Sequence, residues 1–188
     1  MEEFYDESFS KQDYSKQAWD SRLYEDCSFH NCQFVQVNMD DVVFRDCEFH
    51  NCEWVGIGFG NVKLHGLAFN SCRWKGMDLD IELPFPISLS FEDSRLEQCS
   101  FSQIKFREFS VRSSQVWECH FAESDLREAD FRASDLSGTI LEDNDLRKSD
   151  FRAALNYQFD PTQNKIKGAK FSVPEVLVFL QPYGIDIT

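Results

Sequence analysis

Large apolar residues recur every five positions along most of this chain, a spacing that neither a helix nor a flat strand can satisfy. Stepping from Phe9 gives Tyr14, Trp19, Tyr24, Phe29, Phe34, Met39, Phe44, Phe49 and Trp54, and the series runs on to Leu79. A second frame opens at Phe91 and holds to Phe151. Helical faces repeat every 3.6 residues and strand faces every two. A backbone that turns a corner every five residues meets the requirement, and it winds into a solenoid.

The residue two before each large one completes the unit. All seven cysteines, Cys27, Cys32, Cys47, Cys52, Cys72, Cys99 and Cys119, occupy that slot, and Ser94, Ser114, Ser124, Ala129, Ser134, Thr139 and Ser149 fill it elsewhere. Residues two apart in extended backbone share a side, so each unit sends a small and a large side chain inward. Similarity is strongest at a spacing of twenty, as in Phe9, Phe29, Phe49 and Phe69, which predicts four sides per turn. The repeated "DCSFHNCQF" and "DCEFHNCEW" are then one rung above another rather than halves of a zinc site. Their cysteines point inward while His30 and His50 point outward as a ladder. Thiolates and imidazoles therefore do not converge as zinc requires, and no metal or cofactor is expected.

Two further features bound the function. The odd number of cysteines and the start "MEEFYDESFSKQDYSKQ", with neither a basic stretch nor an apolar run, favour a soluble protein of the reducing cytosol. No segment is long and apolar enough for a membrane helix. The formal net charge is -14, with all of the excess on residues 1–155. Such a chain repels nucleic acid and anionic membranes and attracts basic surfaces. Enzymatic chemistry is not expected, because no nucleophile sits at readable spacing from a histidine and an acid.

The runs "SDLREADFRASDL" and "NDLRKSDFRAAL" resemble the pentapeptide repeat consensus, over roughly residues 5 to 155. That resemblance implies an all-β solenoid, a right-handed quadrilateral β-helix. Glu7, Gln12, Gln17 and Arg22 depart from the small slot and mark the first turn as a distorted cap. The tail, "NYQFDPTQNKIKGAKFSVPEVLVFLQPYGIDI", is similar to the C-terminal segment of the Qnr quinolone-resistance proteins. Members of that group are dimers joined through their C-terminal ends, and they act on DNA gyrase and topoisomerase IV as mimics of duplex DNA. The resemblance implies the same homodimer and the same partners here, with protection of the enzyme from quinolones or toxins. A generic repeat scaffold with another partner is the alternative.

Within residues 156–188, Ser172 as N-cap, Pro174 and Glu175 predict a short C-terminal α-helix ended by Pro182 and Gly184. Val176, Leu177, Phe179, Leu180, Tyr183, Ile185 and Ile187 are its candidate capping and dimer residues. Between Leu79 and Phe91 the period gains two residues, and "DIELPFPISLSF" reads as an outward loop or bulge at about 80–90. Its Pro84, Phe85, Pro86 and Ile87 are candidate partner contacts. Candidates for a phosphate-like acidic surface are Asp40, Asp41, Asp46, Glu48 and Glu53, with Asp78, Asp80 and Glu82 beside the break.

Overall fold

The computed structural model describes residues 1–15, 18–79 and 86–185. It is an all-parallel β-solenoid of about 8 turns, closed at its C-terminal end by one short helix. Each turn has four sides of about three residues. We number the sides by the first inward residue of each: side 1 begins with Phe4, side 2 with Phe9, side 3 with Tyr14 and side 4 with Trp19.

Register follows the period of twenty. Phe9 pairs with Phe29, Phe29 with Phe49, and Phe49 with Phe69. The step then widens to twenty-two, pairing Phe69 with Phe91, and returns to twenty at Val111. Pairing continues past residue 155, with Asp145 beside Lys165 and Phe151 beside Phe171. Side 1 of the first turn is regular as well: Glu2–Tyr5 pairs residue for residue with Arg22–Glu25, while Gln17 lies outside the described residues.

The same reason that sets the period fills the interior. Rings of one column lie face to face at one turn's spacing, as for Phe29 and Phe49, 4.8 Å apart and 7° from parallel. Rings of adjacent columns meet edge to face, as Phe49 and Trp54 do. Both geometries suit the aromatic quadrupole. All seven cysteines are buried and free.

The small slot has a chemical task beyond filling space. On the corner between sides 2 and 3 each small side chain accepts the backbone N–H of the turn before it. Cys52 Sγ accepts from Cys32, Cys72 Sγ from Cys52, Ser94 Oγ from Cys72, and Ser114 Oγ from Ser94. These side chains also donate to buried carbonyls: Cys52 Sγ to Phe29 O and Ser94 Oγ to Phe69 O. Corner N–H groups that no strand can pair are thereby satisfied. Ser94→Ala should cost about 1–3 kcal/mol, because it orphans the buried Cys72 N–H. A urea titration checks this, and Ser94→Cys should recover most of the loss.

The residue two after each inward ring turns the corner in the left-handed region, at φ near 50–60°, as at Asp26, Asn31 and Asp41. Asp and Asn tolerate that conformation better than most side chains.

Two expectations need correction. The C-terminal helix, Glu175–Tyr183, is 3₁₀ rather than α, and Pro182 lies inside it. Ser172 does not cap it: its Oγ accepts the Ala153 N–H instead, tying the tail to the turn below. Gly184, at φ 62°, ends the helix as expected. Ile87 is no exposed contact either. It is 2% exposed and belongs to the six-residue strand Ile87–Glu92. The strand is longer here, with Ile87 and Leu89 buried, and Phe109, paired with Leu89, fills the next turn's small slot.

Candidate functional site

Acidic side chains are placed by the corners of the solenoid, and the four edges differ sharply in sign. Along the edge between sides 4 and 1 stand Asp20, Asp40 and Asp41, then Gly60 and Asn61, then Ser102 and Gln103, then Ala122, Glu123, Glu142 and Asp143. Backbone register aligns them: Asp20 pairs with Asp40, and Ala122 with Glu142. Six carboxylates occupy these described corner positions and no Lys, Arg or His does. The edge spans roughly 30 Å at the spacing of paired strands. The acids fall in two groups, Asp20 to Asp41 and Glu123 to Asp143, and average one per about 5 Å against one phosphate per 3.4 Å on a single DNA strand.

Elsewhere cations offset the acids. Arg45 pairs with Glu25, Arg112 with Glu92, and Arg73 bridges Glu53 and Glu97. In the C-terminal half the consensus acids Asp125, Asp130, Asp145 and Asp150 each hold the arginine two residues on. Each of these carboxylates also accepts that arginine's backbone N–H, for example Arg152 N to Asp150 Oδ1 at 3.1 Å. The rows of Asp in the repeat consensus are therefore structural staples, and the net negative surface lies at the edges.

These staples make a pH prediction. The Arg147 and Arg152 hydrogen bonds hold Asp145 and Asp150 below the ordinary carboxylate range. A depressed folded value means the contribution is complete above the unfolded pKa of about 3.9 and is lost as pH falls through the folded values. The Tm difference between the native chain and an Asp145→Asn/Asp150→Asn double variant should stay constant from pH 7 to 5 and shrink below about pH 4.

Two candidate acids on the cation-free edge are held in fixed positions. Asp40 Oδ1 accepts the Asn61 backbone N–H at 3.1 Å, and Asp41 Oδ1 accepts Asn61 Nδ2 at 2.6 Å. Gly60 leaves room for the Asp40 carboxylate, since a Cβ there would come within 2.5 Å of Oδ1. Gly60→Ala should displace Asp40 and, because the Cβ also comes within 3.1 Å of the Met39 carbonyl oxygen, should cost about 1–3 kcal/mol. Paired thermal melts and partner titrations distinguish the two effects.

The other candidates scatter. Asp46 lies on the edge between sides 1 and 2, 3.6 Å from His65 Nδ1. Glu48 is 3.0 Å from His50 on side 2, and Glu53 is engaged by Arg73 on side 3. Asp78 is exposed on side 4 and pairs with Ser100. Asp80, Glu82, Pro84, Phe85 and Ile187 lie outside the described residues, and Pro86 is exposed. His30 and His50 stack at 4.8 Å, the outward ladder the sequence predicts. Among the described residues no group of three His, Cys, Asp or Glu could hold a metal, and no helix is long and apolar enough to cross a membrane. The sequence reading missed Glu123, Glu142 and Asp143. Counting in twenties with the two-residue offset finds Glu123 and Asp143 from Asp41, and Glu142 from Asp40.

At the C-terminal end Phe179 packs on Phe159, Phe171 and Tyr157, covering the last rung. Val176 and Leu177 are half-buried beside it. Tyr183 and Ile185 are left 68% and 53% exposed, with Val173 at 76% and Leu180 at 36%.

Residues 117–154 match the family model for pentapeptide repeats, as eight copies. No curated protein matches the chain significantly. Among solved structures it is similar to a trypsin-treated variant of QnrB1, a plasmid-mediated fluoroquinolone resistance protein, with a TM-score of 0.56 at 16% identity over 96% of this chain and 97% of that one. Against full-length QnrB1 the TM-score is 0.50 at 13% identity, covering 97% and 100%. At these identities the likeness is one of fold, a pentapeptide-repeat β-helix along the whole described chain.

Proposed function

We propose that this protein binds a type II topoisomerase, DNA gyrase or topoisomerase IV, on the basic surface that otherwise holds DNA, and so protects the enzyme from quinolones or toxins that trap it on DNA. The carrying observation is the edge between sides 4 and 1: six carboxylates along a stiff rod, with no Lys, Arg or His at its described corner positions, although Glu142 is met by His120 at 2.7 Å. A fold shared with QnrB1, a fluoroquinolone resistance protein, is in keeping with this reading, as is the similarity of the tail to that of the Qnr proteins. Two copies meeting through Tyr183, Leu180 and Ile185 would double the length of the acidic edge, and a C2 contact of this kind buries the apolar end. Rigidity limits the entropy lost on docking.

A gyrase supercoiling assay across protein concentration, with and without ciprofloxacin and with a peptide toxin, tests the reading. Protection at low concentration and inhibition at high concentration support it. Indifference in every arm favours a scaffold with another partner.

A further inference from the structure

Side 2 changes character in the C-terminal half. Arg107, Arg127, Arg147 and Lys167 form a column on its border with side 1, and Arg112, Arg132 and Arg152 form one on its border with side 3. Backbone hydrogen bonds fix the succession, from Ser113 N to Arg132 O, from Ala133 N to Arg152 O, and from Lys148 N to Lys167 O. With Lys148 and Lys170 the strip carries nine cations, and Glu92, Glu108, Asp125, Glu128, Asp130, Asp145 and Asp150 lie against them, a net of +2 on a chain whose total is -14. Nothing in topoisomerase binding by an acidic edge accounts for such a strip.

Its geometry is that of a receptor. A groove of about 590 Å³ lies at the N-terminal end of the columns, between Arg107 and Arg127 on one side and Arg112 on the other, with Ser88, Ser90 and Ser110 among its lining residues. The strands Ile87–Glu92 and Phe106–Arg112 pair there with a register shift that leaves Arg107 as the extra, bulged residue. Bulges re-aim side chains, and Arg107 meets only His65, at 3.5 Å, with no carboxylate bound to it among the described residues. The four consensus arginines are already oriented. Arg132 Nε and Nη2, for instance, bond Asp130 at 2.9 and 2.6 Å, and no Nη1 hydrogen bond engages the far side of that guanidinium among the described residues. Preorganised planar forks lose little freedom when a carboxylate arrives.

We propose that this groove docks an acidic polypeptide segment in extended conformation. A polypeptide suits it better than a nucleic acid because seven carboxylates interrupt the cations. They would repel an unbroken phosphate backbone but fit between the spaced acids of a peptide, whose amides can meet the serine hydroxyls. The proposal stands apart from the topoisomerase reading and uses a different surface.

The probes are a fluorescein-labelled dodecapeptide of alternating Glu and Ser, its Lys–Ser counterpart and a 20-base-pair duplex, titrated by anisotropy at 50 mM salt. The Glu–Ser peptide is expected to bind at least tenfold tighter than either other probe. An Arg107→Glu/Lys167→Glu variant, which leaves every Asp–Arg staple intact, should weaken it at least tenfold. If that variant does not fold by circular dichroism, Arg107→Gln should weaken it at least threefold. Duplex binding as tight as the Glu–Ser peptide, undiminished peptide binding by the folded variant, or no peptide binding at all would each overturn the assignment.

Discussion

Phe49→Ala should lower unfolding free energy by about 3–5 kcal/mol, the usual range for removing a buried aromatic ring from a close-packed core. Phe49 is fully buried. Its ring is stacked at 4.8 Å on both Phe29 and Phe69 and touches Phe34, Phe44 and Trp54 edge to face. One substitution therefore breaks a column in both directions and strips contacts from three neighbours. Because a solenoid is held by nearest-neighbour terms, the damage should stay local at first. Hydrogen exchange should show protection lost from residues 1–70 before residues 110–155, whereas uniform loss would show a more cooperative rod. Met or Leu at the same site should cost less, since part of the volume is kept.

Reversing the acidic edge should abolish partner binding without touching the fold. Asp40→Lys, Asp41→Lys, Glu123→Lys and Asp143→Lys together should weaken gyrase binding at least a hundredfold, about 2.7 kcal/mol summed over two pairs of charges, Asp40 with Asp41 and Glu123 with Asp143. All four are exposed, and Lys already occupies equivalent corners at Lys11 and Lys148, so the melting temperature should move little. The control is Asp26→Lys, Asp93→Lys, Glu108→Lys and Glu118→Lys, which changes net charge equally on other edges. It should weaken binding no more than tenfold. Equal losses in the two sets would make net charge, rather than this edge, the determinant.

The architecture is legible in the sequence because a period of five admits few solutions. Inward slots, stacking by twenty, the outward histidine ladder and the buried thiols all follow from it. The site was harder to read. Asp40 and Asp41 stand out by local acid density, but Glu123 and Asp143 look like ordinary repeat positions until the corners are stacked and no Lys, Arg or His is found at the described ones. Conversely Glu53 and Glu48 look available in sequence and are engaged in space by Arg73 and His50. Ile87 misled because prolines at 84 and 86 suggest an outward loop, while the strand that follows draws its alternate residues into the core. Ser172 has the look of an N-cap, yet a cross-turn hydrogen bond to Ala153 is the stronger demand on its hydroxyl.

Competition with DNA puts the duplex-like edge to the most direct trial. Labelled protein bound to gyrase would be titrated with linear duplex at low and at high salt. Displacement in proportion to duplex concentration, with affinity for the enzyme falling steeply as salt rises, is the predicted result. A ternary complex that keeps both the duplex and this protein at full affinity would contradict it.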